Sequence, residues 1–225
     1  MPTRLDPYEV AYDFIRALHH RLCQPLTALS CALEMAQMSC ADDEKVMDQL
    51  QVANTQSALA LELMGAFRLL FEAGSPGSGR HCTELQMVAK EVVADLAPLA
   101  EVQRVTCEMR VAEPSCVDLA PSLLHQAIWS VVQNSIETSC HGSKVEVRIE
   151  GHVVHVSDGA EPTEEEMANL LDPFSYCMNA SNHARVSNLP LAIAQRIATA
   201  CGGSMSVFLD DDRVGRRFEL RFPSA

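Results

Sequence analysis

The stretch Leu18-His-His-Arg-Leu-Cys-Gln-Pro-Leu-Thr27 sets two histidines, His19 and His20, just ahead of Pro25. A neutral imidazole, with an ordinary pKa of about 6.5, has a ring nitrogen that can attack phosphorus near pH 7 without a strong base. The proline stands five residues after His20, inside a helical pattern, where it costs a backbone hydrogen bond and about 3 kcal/mol. A kink beside an imidazole asks for a chemical reason. A second candidate lies further along. Asp158 precedes Gly159 at the end of an alternating stretch, where Asp-Gly is also a common turn pair.

The other donor types point away from metals and disulfides. Nine cysteines form no Cys-x-x-Cys pair, so reduced and mostly buried thiols are expected. His81-Cys82 and Cys140-His141 are adjacent in sequence, and neighbouring residues seldom reach one metal; no metal site is expected. A net charge of −13 disfavours nucleic acid and anionic membrane surfaces, which need clustered Lys and Arg. No apolar run reaches the roughly 18 residues of a membrane span, and the N-terminus lacks the apolar core of a signal peptide. A cytoplasmic location is expected.

The elements that must position these residues follow from periodicity. Across residues 8–39, Ile15, Leu18, Leu22, Pro25, Leu29, Ala32 and Ala36 recur at three and four residues, the narrow stripe of a bundle helix. With Leu18 and Leu22 turned to the seam, His20 points outward, and His19 lies nearer the seam as a structural residue. Asp42, Asp43 and Glu44 break the pattern before a second helix over 43–73, carrying Val46, Leu50, Leu59, Leu63, Phe67 and Leu70. So short a connection predicts an antiparallel hairpin. Its open stripes predict a homodimer, two hairpins closing a four-helix bundle.

The Gly- and Ser-rich run ending at Gly79 gives a linker at 75–80 between a hairpin unit, 1–74, and a second domain, 81–225. That domain alternates short elements: a helix over 83–101 opened by Thr83 and Gln86 as a capping box, and a strand over 105–111. A short strand at 115–118 and a strong helix over 120–138 follow, with Trp129 in its core. Strands 144–150 and 152–157 form a hairpin around Gly151, and a helix over 189–201 is stopped by Gly202-Gly203. A last hairpin joins 205–209 to 217–222. Glu164, Glu165 and Glu166 suit the first turn of a short helix. The fold class is α+β: a helical hairpin followed by an α/β sandwich with helices on one face of a mixed sheet.

In this order the elements and their residues resemble a bacterial two-component histidine kinase core. His20 to Thr27 is similar to the family's phospho-acceptor box, with its proline at the same spacing. Leu124 to Thr138, including Gln126, Asn134 and Glu137, is similar to the N box. Asp158-Gly159 matches the place of the adenine-reading aspartate, Leu171-Asp-Pro-Phe174 the F box, and Leu191-Ala-Ile193 with Gly202-Gly203 the end of the last glycine box. Several positions depart from that pattern. Ala160 and Pro162 stand where glycines would let backbone approach adenine. Val186-Ser-Asn-Leu-Pro190-Leu191 holds no glycine, and Pro190 has no N–H for a phosphate. Ser130 replaces an asparagine, and Arg21 replaces the acid expected after the histidine, so it cannot act as a base.

The resemblance, with these departures, implies a histidine phosphotransferase of the ChpT type built from a degenerate kinase core. It would relay a phosphoryl group between response-regulator receiver domains through a phosphohistidine at His20. Arg21 would steady the group and Gln24 contact the partner. Asn134 and Asp158 would be remnants of a nucleotide site, so no cofactor is expected: ATP binding is disfavoured, and Mg²⁺ comes from the partner receiver. Two rival readings are an ATP-dependent sensor histidine kinase core and a non-enzymatic pseudokinase module that binds receivers.

Overall fold

The computed structural model of the chain describes residues 23, 26–36, 38, 46–47, 50, 53, 57, 60, 64–65, 82–172, 175–179, 181, 185–209 and 215–225. The chain divides into two compact units, Met1–Ser75 and Pro76–Ala225. In the first, residues 26–36 are helical. The buried Ser57 hydroxyl donates to the Leu26 carbonyl at 3.3 Å and shares a 2.7 Å hydrogen bond with Ser30. Residues 23, 38, 46–47, 50, 53, 57, 60 and 64–65 are helical too; the remainder of the expected hairpin over 1–74, and the dimeric bundle, lie outside the described residues.

The second unit is an α+β sandwich. It runs β1 (Thr83–Glu84), α1 (Leu85–Asp95), α2 (Ala97–Val102), β2 (Thr106–Glu113), β3 (Cys116–Val117), α3 (Pro121–Thr138), β4 (Lys144–Glu150) and β5 (Val153–Ser157). Then come α4 (Glu164–Ala168), β6 (Tyr176–Met178), β7 (Arg185–Ser187), α5 (Leu189–Ala200), β8 (Ser204–Leu209) and β9 (Arg216–Arg221). The main sheet has the order β2-β4-β5-β9-β8. Its β2–β4 pair is parallel and the others are antiparallel, so it is mixed as expected.

Alternation assigns the two faces of the sheet. Val145, Val147 and Ile149 of β4, Val154 and Val156 of β5, and Phe218 and Leu220 of β9 are fully buried. They meet Leu124, Ile128, Val131 and Val132 of α3, Leu85 and Val92 of α1, and Leu191 and Ile197 of α5, which are buried to the same degree. Each such side chain contributes about 1.5–3 kcal/mol, so the core comfortably outweighs a single unfavourable polar burial. At the close of α5, Gly202 takes φ +85°, and a Cβ on Gly203 would stand 1.9 Å from the Arg221 carbonyl oxygen. Only glycine fits that packing of helix end on strand.

Three expectations are corrected. The helix expected over 83–101 is a short strand followed by two helices. The Thr83 hydroxyl donates to the Leu119 carbonyl at 2.6 Å and caps nothing, while Gln86 Oε1 accepts from the Ser115 N–H at 3.2 Å. Both hold β1 against β3, where Thr83 pairs with Val117. Pro98, in the first turn of α2, has no N–H to continue the ladder from α1, so the helix breaks at Leu96. Second, Trp129 is half-buried rather than core: its indole N–H donates to Gln133 Oε1 at 2.7 Å and its ring stacks on His125 at 5.6 Å. Third, the hairpin of β6 and β7 was not anticipated.

Candidate functional site

Of the residues singled out in the sequence, His20, Arg21 and Gln24 lie outside the described residues. Asn134 and Asp158 are both described, both buried, and both joined to one residue that sequence reasoning passed over. That residue is Arg216.

Asn134 sits in the last turn but one of α3, on the face it turns to the sheet. Asp158 follows the last residue of β5. Arg216 opens β9 and is wholly buried. The period of two along β9 puts it in phase with Phe218 and Leu220, on the core face, while Arg217 and Glu219 point outward. That phase was the available signal. Next to Gly215 and Arg217, however, Arg216 reads as one more charge in a surface turn.

The guanidinium closes on the aspartate. Asp158 Oδ2 accepts from Arg216 Nε at 3.1 Å and Nη2 at 2.7 Å. Asp158 Oδ1 accepts from the backbone N–H groups of Ala160 and Arg216, each at 3.1 Å, and from Nε at 3.4 Å. Five N–H contacts reach a carboxylate that offers about four lone-pair sites, so its accepting capacity is spent. Arg216 Nη2 also donates to the Thr138 hydroxyl and, at 3.4 Å, to Asn134 Oδ1. The guanidinium carbon lies 5.1 Å from the centre of the Phe218 ring, within cation–π reach. Around the guanidinium two buried donors find no partner among the described residues, Asn134 Nδ2 and Arg216 Nη1.

The hairpin β6–β7 and the entry to α5 wall this cluster. Glu166 ties the hairpin to α4: with Thr163 it forms a capping box on α4, and its Oε1 accepts from the Met178 N–H of β6 at 2.7 Å. Partial burial works against its charge, but the N–H groups of Thr163 and Met178 and the Thr163 hydroxyl outweigh it, holding the Glu166 carboxyl below the usual range. Cys177 of β6 is buried beside Arg216, and that burial pushes its thiol up.

The first turn of α5 has few groups for an anion. The Leu189 N–H donates to the Ser187 hydroxyl at 3.2 Å, Pro190 has none, and the Ala192 N–H returns to the Asn188 carbonyl at 3.2 Å. Among the described residues this leaves the Leu191 N–H. Asn188, at the N-cap, makes no side-chain cap; its amide Nδ2 donates to the Ser175 hydroxyl at 2.7 Å. A helix start that cradles phosphate aims several free N–H groups at it. This one does not.

Comparison with known proteins names the fold. Residues 120–225 match the family described as histidine kinase-, DNA gyrase B- and HSP90-like ATPase. The chain is 24% identical over 206 residues to the virulence sensor protein BvgS of Bordetella bronchiseptica, a match covering 85% of this chain and 17% of BvgS. The BvgS of Bordetella pertussis is 23% identical over the same shares. The chain thus spans about a sixth of the length of these relatives. Among solved structures, full-length ShkA in complex with AMPPNP superposes with a TM-score of 0.65 at 17% identity, over 95% of this chain and 46% of ShkA. The Acinetobacter baumannii histidine kinase AdeS gives 0.56 at 15%, over 90% and 98%. Residues 120–225 thus have the fold of a histidine-kinase-like ATPase domain.

That fold implies a nucleotide with Mg²⁺, and the residues here do not fit one. Asp158 has no accepting capacity left for a base, Asn134 turns its oxygen toward a guanidinium and not toward a metal, and α5 offers a single free amide in its first turn. No group of three or more His, Cys, Asp or Glu among the described residues could hold a metal ion. Among them, too, no helix is long and apolar enough to cross a membrane.

Proposed function

We propose that this chain moves phosphoryl groups within a two-component pathway as a dimeric histidine phosphotransferase, taking them from the aspartyl phosphate of one response-regulator receiver and passing them to another. The observation that carries this reading is the start of α5, where Ser187 and Pro190 remove the amides that a triphosphate would use. The kinase-like core and the five-residue spacing from His20 to Pro25 support phosphohistidine chemistry.

In the transfer, a ring nitrogen of His20 attacks phosphorus as the bond from phosphorus to the aspartyl oxygen breaks. The carboxylate leaves with the electron pair, and the imidazole proton passes to water. The N–P bond is itself reactive, so the step reverses onto a second receiver. Arg21 steadies the transferring oxygens and Gln24 meets the partner. Receivers bring their own Mg²⁺ and lysine, so this chain need supply only position and charge.

The family match and the histidine-kinase relatives by themselves support a second reading better: an ATP-dependent sensor histidine kinase core. One experiment separates the two. The chain is incubated with Mg·ATP radiolabelled on the γ-phosphate, and in parallel with a receiver labelled on its aspartate. The proposal expects label on the chain only from the receiver, and none after His20→Ala. Label on His20 from ATP alone would establish the kinase reading instead. Light scattering on the full chain tests the dimer, and a monomer at micromolar concentration would refute it.

A further inference from the structure

We propose that Arg216 is a built-in occupant of the site formed by Asp158, Asn134 and Thr138, a side chain standing where the fold would otherwise seat a nucleotide base. This role of Arg216 does not depend on where the phosphoryl group comes from. Arg216 is 0% exposed, and Asp158 opposite it has a fully buried side chain. A guanidinium and the amidine edge of a heterocyclic base share a chemistry: both are planar and present N–H donors in one plane to a carboxylate. Arg216 does this through Nε and Nη2, against both oxygens of Asp158.

The rest of the pocket is consistent with a substitution of one planar group for another. The Thr138 hydroxyl accepts from Nη2 while donating back to the Asn134 carbonyl at 2.7 Å, so it is satisfied on both sides. Phe218 lies under the guanidinium, as a ring would lie under a base. The fit is incomplete at one edge, where Arg216 Nη1 and Asn134 Nδ2 find no partner among the described residues. A surface arginine captured by chance would keep its head in water; this one has none of its surface there.

The consequence is that the domain is closed by its own side chain and takes no base. Removing that side chain should therefore create a binding site. A buried cavity left by truncation relaxes only in part, and this one would expose Asp158 along one wall and Phe218 along another.

Adenosine is the probe, because it carries no phosphate and so reads only this end of the site. Ligand-observed NMR and melting curves are recorded on the full chain, on Arg216→Ala, and on Asp158→Asn combined with Arg216→Ala, which leaves no buried charge should the single variant fail to fold. Wild type is expected to show no adenosine binding. A folded variant is expected to bind adenosine at least about tenfold more tightly than wild type, and methylguanidinium, returning the missing group, should raise its melting temperature and displace adenosine. Adenosine binding by wild type overturns the proposal, as does a folded variant that binds neither compound. Should neither variant fold, the wild-type titration decides alone. The label experiment on His20 is unaffected by either result, so the two ideas fail separately.

Discussion

The two faces of the main sheet handle charge in opposite ways. On the inner face a single ion pair among the described residues, Arg216–Asp158, sits at 2.7 Å with both side chains out of water. The outer face is a ladder. Lys144 Nζ lies 2.9 Å from Glu108 and from Glu146, Arg110 reaches Glu146 at 3.7 Å, Arg148 meets Glu150 at 2.9 Å, and Arg221 meets Glu219 at 3.0 Å. The chemical groups are the same and the energetics are not. Burying two charges costs several kcal/mol of hydration each, repaid only while every partner stays in place, whereas pairs in water gain and lose little. One face is specific because it is expensive; the other is tolerant because it is cheap.

The largest expected effect comes from breaking the inner pair on one side. Asp158→Ala leaves a buried guanidinium with no counter-charge, and urea unfolding should show a loss of about 3–5 kcal/mol, if the variant folds at all. A loss near that of a surface substitution would mean that the pair is open to water and the contrast between the faces is false. Replacing both members sharpens the same point. Asp158→Leu with Arg216→Met should recover most of the lost stability, because removing the hydration cost of both ions compensates for their attraction. Such a double variant as unstable as Asp158→Ala would show that the backbone contacts of Asp158 to Ala160 and Arg216, and not the ion pair, hold the end of β5.

How far this was legible in the sequence differs between the two faces as well. The outer face was readable: Lys144 to Glu150 alternates charge with Val145, Val147 and Ile149, and a period of two needs no tertiary knowledge. The helix at 121–138 and the turn at Gly202-Gly203 were equally local. Thr83 and Gln86 misled because a capping box and a strand that pairs across 34 residues present the same two polar side chains; only the positions of Leu119 and Ser115 tell them apart. Strands β6 and β7, three residues each, are too short to show a period. Of the candidate site, Asp158 and Asn134 were visible as motif residues, yet what Asp158 binds lies 58 residues downstream, in a residue whose type argues for the surface. Alternation along β9 contradicted that type, and alternation was right.

A smaller effect is expected at the edge of the inner site. The Glu166 carboxyl is held below its usual range by the hydrogen bonds that outweigh its partial burial. A group whose folded pKa is depressed contributes stability above its unfolded pKa, and that stability is lost as pH falls through the folded value. Glu166→Gln should therefore lower the melting temperature slightly at pH 7 and flatten its fall below pH about 4, where the wild-type carboxylate itself protonates. Equal acid sensitivity in wild type and variant would assign that fall to other carboxylates.

The smallest effect belongs to the outer ladder. The carboxylates of Glu108 and Glu146 raise the pKa of Lys144, and hydrogen bonding by Lys144 lowers that of Glu146. The sign follows for each: the lysine's contribution is whole below its unfolded pKa and fades as pH rises through the raised folded value. The glutamate's is present above its unfolded pKa and fades as pH falls through the depressed one. Between those limits, at neutral pH, the pair is fully formed, and it is still expected to matter little, because Lys144 and Glu108 stand in water. Lys144→Ala should leave the melting temperature within experimental error, and any shift at low ionic strength should vanish in about 1 M salt, where charges are screened beyond about 3 Å. A salt-independent loss comparable to that of Asp158→Ala would place the outer face in the same energetic class as the inner one. It would also mean that exposure to water is not what separates them.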